Sequence, residues 1–150
     1  LNRSGSRFSD GTWGVYYAGE SLDTAVAEVS FHCARFMAQT QQPAIDVDYR
    51  AYVAHLVQPM HDLRGPRWSS VHAPDSYAAS VQLARELRAA GAWGLVYRSV
   101  RRSAGQCVAV FRPQAVQVPV TQSAHVSLRW DGKDISSWYR KSDLHDLPRP

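Results

Sequence analysis

Lysine is nearly missing from this chain. Lys133 and Lys141 stand against fifteen arginines in 150 residues, so the positive charge rests on a planar fork of donors that fits phosphate and stays charged. GC-rich codon usage would produce the same bias. Cysteine is equally scarce. Cys33 and Cys107, two in all, have no CxxC spacing and no paired histidines nearby. That predicts buried, reduced thiols in a cytoplasmic protein, ahead of a disulfide or a metal site. No apolar run approaches the ~20 residues a membrane span needs, and the polar first ten residues do not read as a signal peptide. The net charge is +4, yet no block of like charge occurs, so no direct nucleic-acid-binding stripe is expected. The glycines form neither GxGxxG nor a Walker A loop, which excludes Rossmann and P-loop phosphate sites. The chain opens on Leu1 rather than methionine, so upstream sequence is expected to have been trimmed. Residues 1–150 are expected to form one domain without an N-terminal segment that preceded it.

What is present predicts an α+β fold. At 45% hydrophobic and 20% charged residues, the chain can bury a core. Residues 14–18 read as a short aromatic strand entered through Gly11 and Gly14. Ser21 or Asp23 can N-cap a helix reaching Met37. Its apolar face is Leu22, Val26, Val29, Cys33 and Phe36, with Glu28 and His32 on one shoulder. After a loop at Pro43, residues 45–57 alternate as one or two strands, with a helix over part of them as the alternative. Pro59, Gly65, Pro66 and Pro74 predict irregular loop over 58–76. A second helix over 76–90, capped by Asp75 or Ser76, stops at Gly91. Strands 93–100 and 106–112 form a hairpin across a glycine-containing loop. Residues 124–130 form a final strand, Asp131-Gly132 opens a turn, and the tail after Arg140 frays. The βαβ rhythm of a doubly wound sheet is missing. The expected core is therefore a mainly antiparallel sheet with flanking helices.

Four polar residues are not called for by core packing: Arg7, Tyr16, Glu28 and, far downstream, Ser99. A cation, an aromatic, a carboxylate and a hydroxyl suit a ligand with phosphates, flat rings and a ribose. Glu28, partly desolvated on its helix, is the candidate catalytic carboxylate; the alternative is a solvated helix glutamate. Arg7 can fork onto phosphate or form a surface ion pair of little consequence. Tyr16 can stack on a ring of the ligand. Strand alternation requires one of Tyr16 and Tyr17 to face inward without saying which. Ser99, at a strand end beside arginines, can hold an amide or a ribose. His32, one turn after Glu28, can orient that carboxylate, touch the ligand, or be structural. His55, His61, His72, His125 and His145 show no metal-ligand spacing, and Ser99 lacks the GxSxG turn of a serine hydrolase.

These residues stand in Gly5-Ser6-Arg7-Phe8-Ser9-Asp10-Gly11, Gly14-Val15-Tyr16-Tyr17-Ala18 and Thr24-Ala25-Val26-Ala27-Glu28. They continue in Ala89-Ala90-Gly91-Ala92-Trp93-Gly94-Leu95-Val96-Tyr97-Arg98-Ser99-Val100-Arg101 and Gly105-Gln106-Cys107-Val108-Ala109-Val110-Phe111-Arg112-Pro113. In that order they resemble the RES domain, a family of bacterial toxins named for an arginine, a glutamate and a serine. The resemblance implies a fold related to ADP-ribosyltransferases and NAD+ as substrate, with no metal. It also implies a cognate Xre-like helix-turn-helix antitoxin as partner, and it places the family's arginine, tyrosine, glutamate and serine at Arg7, Tyr16, Glu28 and Ser99. The implied reaction releases nicotinamide and passes ADP-ribose to water, phosphate or a protein, so specific protein mono-ADP-ribosylation stays open. From other classes, a ribonuclease toxin would need paired histidines or a His–Lys set, which the sequence does not offer. A non-catalytic nucleotide-binding module would not depend on Glu28.

Overall fold

The computed structural model of the protein describes residues 5–142. In chain order its regular elements are β1 (Tyr16–Gly19), α1 (Leu22–Met37), β2 (Ile45–Val53), β3 (His61–Asp62), a 3-10 helix (Pro66–His72), α2 (Ala78–Ala89), β4 (Gly94–Arg98), β5 (Gln106–Val110), a 3-10 turn (Pro113–Ala115), β6 (Thr121–Trp130) and β7 (Ile135–Lys141). The class is α+β, as expected. The chain divides into two compact units, Leu1–Glu28 with His55–Val118, and Val29–Ala54 with Pro119–Pro150. The division falls within α1, directly after Glu28.

The first unit is built on a sheet of order β1-β5-β4-β3. β1–β5 and β4–β5 pair antiparallel, and the two-residue β3 pairs parallel with β4. β4 reads Gly-Leu-Val-Tyr-Arg, and Leu95, its second residue, is fully buried, a placement that stabilises by roughly 1.5–3 kcal/mol. Leu95 packs in a cluster with Phe8, Leu63, Val71, Ala84, Tyr97, Cys107 and Ala109. α2 ends where expected, because Gly91 adopts a left-handed φ of +85° that a side chain would resist.

Ser21 does N-cap α1: its Oγ accepts the Thr24 backbone N–H at 3.2 Å. Phe36 is not part of a buried face. It is 66% exposed, whereas Met37 is buried. At 100° per residue Met37 lies about 20° from Val26 on the helix wheel, whereas Phe36 has drifted about 80° away. The same count corrects Glu28. It lies about 160° from Val26, not on the shoulder of that stripe, and shares its side of the helix with the fully buried Thr24.

Three further expectations are corrected. Residues 58–76 are not all irregular, since they hold β3 and the 3-10 helix, which Pro66 opens at a position that needs no backbone donor. Neither Asp75 nor Ser76 caps α2. Tyr77 occupies that place with no side-chain cap, because the approach is held elsewhere: Arg7 binds the Ala73 carbonyl and lies over the Tyr77 ring. The strand at 121–130 is not the last, because the polar sequence of β7 pairs with β6 through backbone register. Lys141 belongs to β7 and Ser142 follows it; residues 143–150, His145 among them, lie outside the described residues.

The second unit carries the antiparallel sheet β2-β6-β7. One face gathers Val126, Leu128 and Trp130, all buried. On the other face Asp46 accepts from Arg129 at 3.2 Å and from the Tyr139 hydroxyl at 2.8 Å. Asp48 takes Lys141 and, at 2.5 Å, the Ser127 hydroxyl. The bonds from Arg129 and from Lys141 lead in holding these carboxyls below their ordinary value of 3.8. Their stabilisation is therefore present above that value and lost as pH falls through the lower folded values. An Asp46→Asn/Asp48→Asn double variant should show a weaker fall in stability below about pH 4, read by circular dichroism in an acid titration. An unchanged acid limb would dismiss that role.

Candidate active site around Glu28 and Ser99

The hairpin of β4 and β5 places Tyr97 opposite Cys107 and continues into the loop 99–105. Ser99 opens this loop. Its backbone N–H donates to the Gly105 carbonyl at 2.8 Å, and its Oγ accepts the backbone N–H groups of Arg101 and Arg102 at 3.1 and 3.0 Å. With its lone pairs so engaged, the hydroxyl turns its proton outward and donates to Glu28 Oε1 at 2.5 Å. The loop reaches α1 because of its last residue. A Cβ on Gly105 would stand 3.0 Å from Thr24 Oγ1 and 3.1 Å from Thr24 Cγ2, so glycine permits the approach one turn before Glu28.

Glu28 is half-buried. Its Oε1 also lies 3.8 Å from Cys107 Sγ. Burial, and then the nearby Glu28 charge, push the Cys107 thiol up to about 12, so it donates S–H to the carboxylate rather than competing as an anion. Among the described residues, Oε2 has no hydrogen-bond partner and neither oxygen has a cation partner. A carboxylate fixed on one oxygen and open on the other is arranged to meet a ligand.

Arg7 is 7% exposed. Its Nη1 donates to the Val71 and Ala73 carbonyls at 3.1 and 2.9 Å, and its guanidinium lies 4.8 Å from the Tyr77 ring centre. No acid pairs with it among the described residues, although buried charges are ordinarily neutralised by a partner. Burial raises the Tyr97 phenol far above its ordinary value, with Cys107, Glu28 and Tyr17 adding and Arg7 opposing, so Tyr97 stays neutral. Its ring meets Phe8 edge-on at 4.9 Å.

Tyr16 and Tyr17 do not divide into one buried and one exposed. They are 42% and 37% exposed, because β1 is an edge strand with one neighbour. Tyr17 is nonetheless anchored: its hydroxyl accepts the Phe8 backbone N–H at 3.0 Å and bonds Ser6 at 2.8 Å. Tyr16 pairs in register with Val110. His32 belongs to the other unit, where its ring packs edge-on against Phe31 at 5.4 Å.

A cleft of about 420 Å³ opens beside this pair, lined among others by Arg64, His72, Arg98, Ser99, Gly105 and Gln106. Arg64 is committed to Asp62 at 2.8 Å. Arg98 is exposed, and its guanidinium has no hydrogen bond or ion pair among the described residues. A pocket of this size with a free guanidinium and a hydroxyl that is itself bonded to the Glu28 carboxylate is suited to an anionic ligand that also carries hydroxyl groups. Tyr97, Cys107, Arg98 and His72 were not singled out from sequence as site residues. Tyr97 had a signal, lying two residues before Ser99 on one strand face, and Cys107 follows from it by hairpin register. His72 had none.

Residues 1–131 match the RES domain family. No curated protein matches the chain.

Proposed function

We propose, from the premise that the chain belongs to the RES-domain family of toxins, that it cleaves the nicotinamide–ribose bond of NAD+ and passes ADP-ribose to an acceptor. The observation that carries this is the Glu28 carboxylate, held on Oε1 by the Ser99 hydroxyl of the arginine-walled cleft and without a hydrogen bond on Oε2 among the described residues. When the C1′–N bond breaks, the electron pair leaves with nicotinamide and the ribose acquires oxocarbenium character. Glu28 stabilises that positive charge and accepts a hydrogen bond from a ribose hydroxyl. Ser99 keeps the carboxylate in place. Arg98 contacts the diphosphate, and Arg7, whose buried charge lacks an acid partner among the described residues, adds positive potential from behind the 3-10 helix. Tyr16, exposed at the sheet edge, supplies an aromatic face. The acceptor atom that adds to C1′ gives up any proton it carries to solvent as the new bond forms, and growth stops as NAD+ is consumed.

An ADP-ribosyltransferase-like arrangement of the first unit and control by an Xre-like helix-turn-helix antitoxin belong to the same proposal. The test is incubation of the protein with NAD+, with and without phosphate and with cell lysate, following nicotinamide. Release supports the assignment, and its dependence on phosphate or on lysate protein identifies the acceptor. No nicotinamide under any of these conditions refutes it.

Arg7→Lys provides a sharper check on the arginine. Lysine keeps the charge but cannot span both carbonyls with a planar fork, so release should fall roughly tenfold or more as the site loses its alignment. Wild-type turnover in this variant would remove Arg7 from the proposal.

A further inference from the structure

His72 ends the 3-10 helix and lines the cleft with Arg98 and Ser99. Both ring nitrogens are committed. Nδ1 lies 2.8 Å from the Trp68 carbonyl oxygen, which only accepts, so Nδ1 carries the proton. Nε2 lies 3.1 Å from the Arg98 backbone nitrogen, which only donates, so Nε2 is bare. The ring is held neutral in one tautomer.

The position of that second bond matters. Successive backbone N–H groups of a strand point to opposite sides. Ser99 N–H turns toward β5 and bonds Gly105, so Arg98 N–H turns toward β3. But β3 ends at Asp62, with Leu63 N–H making the last bond to Val96. The His72 ring thus replaces the missing strand at the residue just before Ser99. From its other side, Arg7 grips the carbonyls of Val71 and Ala73, which flank His72. One chain of contacts therefore runs from Arg7 through His72 and Arg98 to Ser99 and Glu28.

We propose that His72 is a positioning residue whose neutral, Nδ1-protonated ring fixes the end of β4 so that Ser99 meets Glu28, and whose protonation releases that end and switches the site off. This rests on the NAD+ cleavage proposed above. A proton on Nε2 would point at the Arg98 N–H, and the bond would be lost. The charges acting on the ring are Arg98 of β4 and Arg7 of the N-terminal segment, both opposing protonation. The neutral Tyr97 ring lies 6.4 Å away, and no charge of α2, which packs on the same 3-10 helix, acts on His72. Burial, the leading cause, and these arginines outweigh the Trp68 carbonyl and lower the ring from its ordinary 6.5. The neutral ring is therefore complete above that value and is lost as pH falls through the lower folded one.

The experiment follows nicotinamide release from NAD+ between about pH 5 and pH 8 in wild type, His72→Gln and His72→Phe, with ¹⁵N spectra of the ring in wild type. Glutamine can accept from Arg98 and donate to Trp68 without titrating. It should retain most of the rate at the alkaline end and lack the wild-type fall in kcat on the acid side. Phenylalanine should lose roughly tenfold or more in kcat with KM little changed. An acid limb that persists in the glutamine variant, or an unimpaired phenylalanine variant, overturns the proposal. If the phenylalanine variant does not fold, the glutamine profile and the spectra decide. A ring found protonated on Nε2 overturns the proposal whether or not NAD+ is turned over, whereas absent turnover with the stated tautomer condemns the substrate and leaves the tautomer established.

Discussion

With glutamine in place of Glu28, release of nicotinamide from NAD+ is expected to fall by about 10²-fold or more, some 2.7 kcal/mol of lost transition-state stabilisation. The substitution is informative because it changes little else. Glutamine Oε1 can still accept the Ser99 hydroxyl that Glu28 Oε1 accepts at 2.5 Å, and the amide fills nearly the same volume. The negative charge alone is removed. It has no cation partner among the described residues, so its loss strands no buried positive group and should leave the thermal midpoint almost unmoved. A bond-breaking step that leaves positive charge on the ribose should feel that loss in kcat more than in KM. Expression of the variant in a bacterial host should also cease to arrest growth. A rate near that of wild type would take Glu28 out of the chemistry.

Phe8→Ala carries the largest expected effect on stability. Phe8 is fully buried, meets Tyr97 edge-on, and lies in the cluster of Leu95 and Ala109. Removing its ring loses apolar burial, leaves a cavity and forfeits the aromatic pair, together costing about 3–5 kcal/mol. The thermal midpoint should fall by roughly 10 °C. The effect should also reach function, because Phe8 follows Arg7 and its N–H is held by the Tyr17 hydroxyl. Thermal denaturation by circular dichroism measures this, with Phe8→Leu as a partial filler of the same space. A midpoint within a degree or two of wild type would show that the ring does not anchor this core.

Glu28 and Ser99 were both legible as chemistry without a fold, because a carboxylate and a hydroxyl in those segments serve no packing purpose. Their partnership was not legible, since they are separated by 71 positions and helix periodicity cannot see across that distance. The shoulder reading misplaced Glu28, which the 100° turn per residue already sets about 160° from Val26, on the side of Thr24 and facing the hairpin. Arg7 was readable as a cation with a purpose. Its burial beneath the 3-10 helix was not, because that helix follows from Pro66 and from carbonyls that Arg7 itself satisfies.

Sequence alone determined the features whose causes are local. These are the start of α1 at Ser21, the stop of α2 at Gly91, and the β4–β5 hairpin with its antiparallel pairing. Each depends on groups within a few residues, where capping bonds, backbone angles and side-chain alternation act. Tertiary structure decided the rest. Both tyrosines stay half-exposed because β1 has one neighbour, and β7 forms because β6 offers it a ladder. His72, from a stretch with no pattern, occupies the place where β3 runs out, because its ring nitrogen reaches the Arg98 backbone N–H that the two-residue β3 leaves without a strand partner.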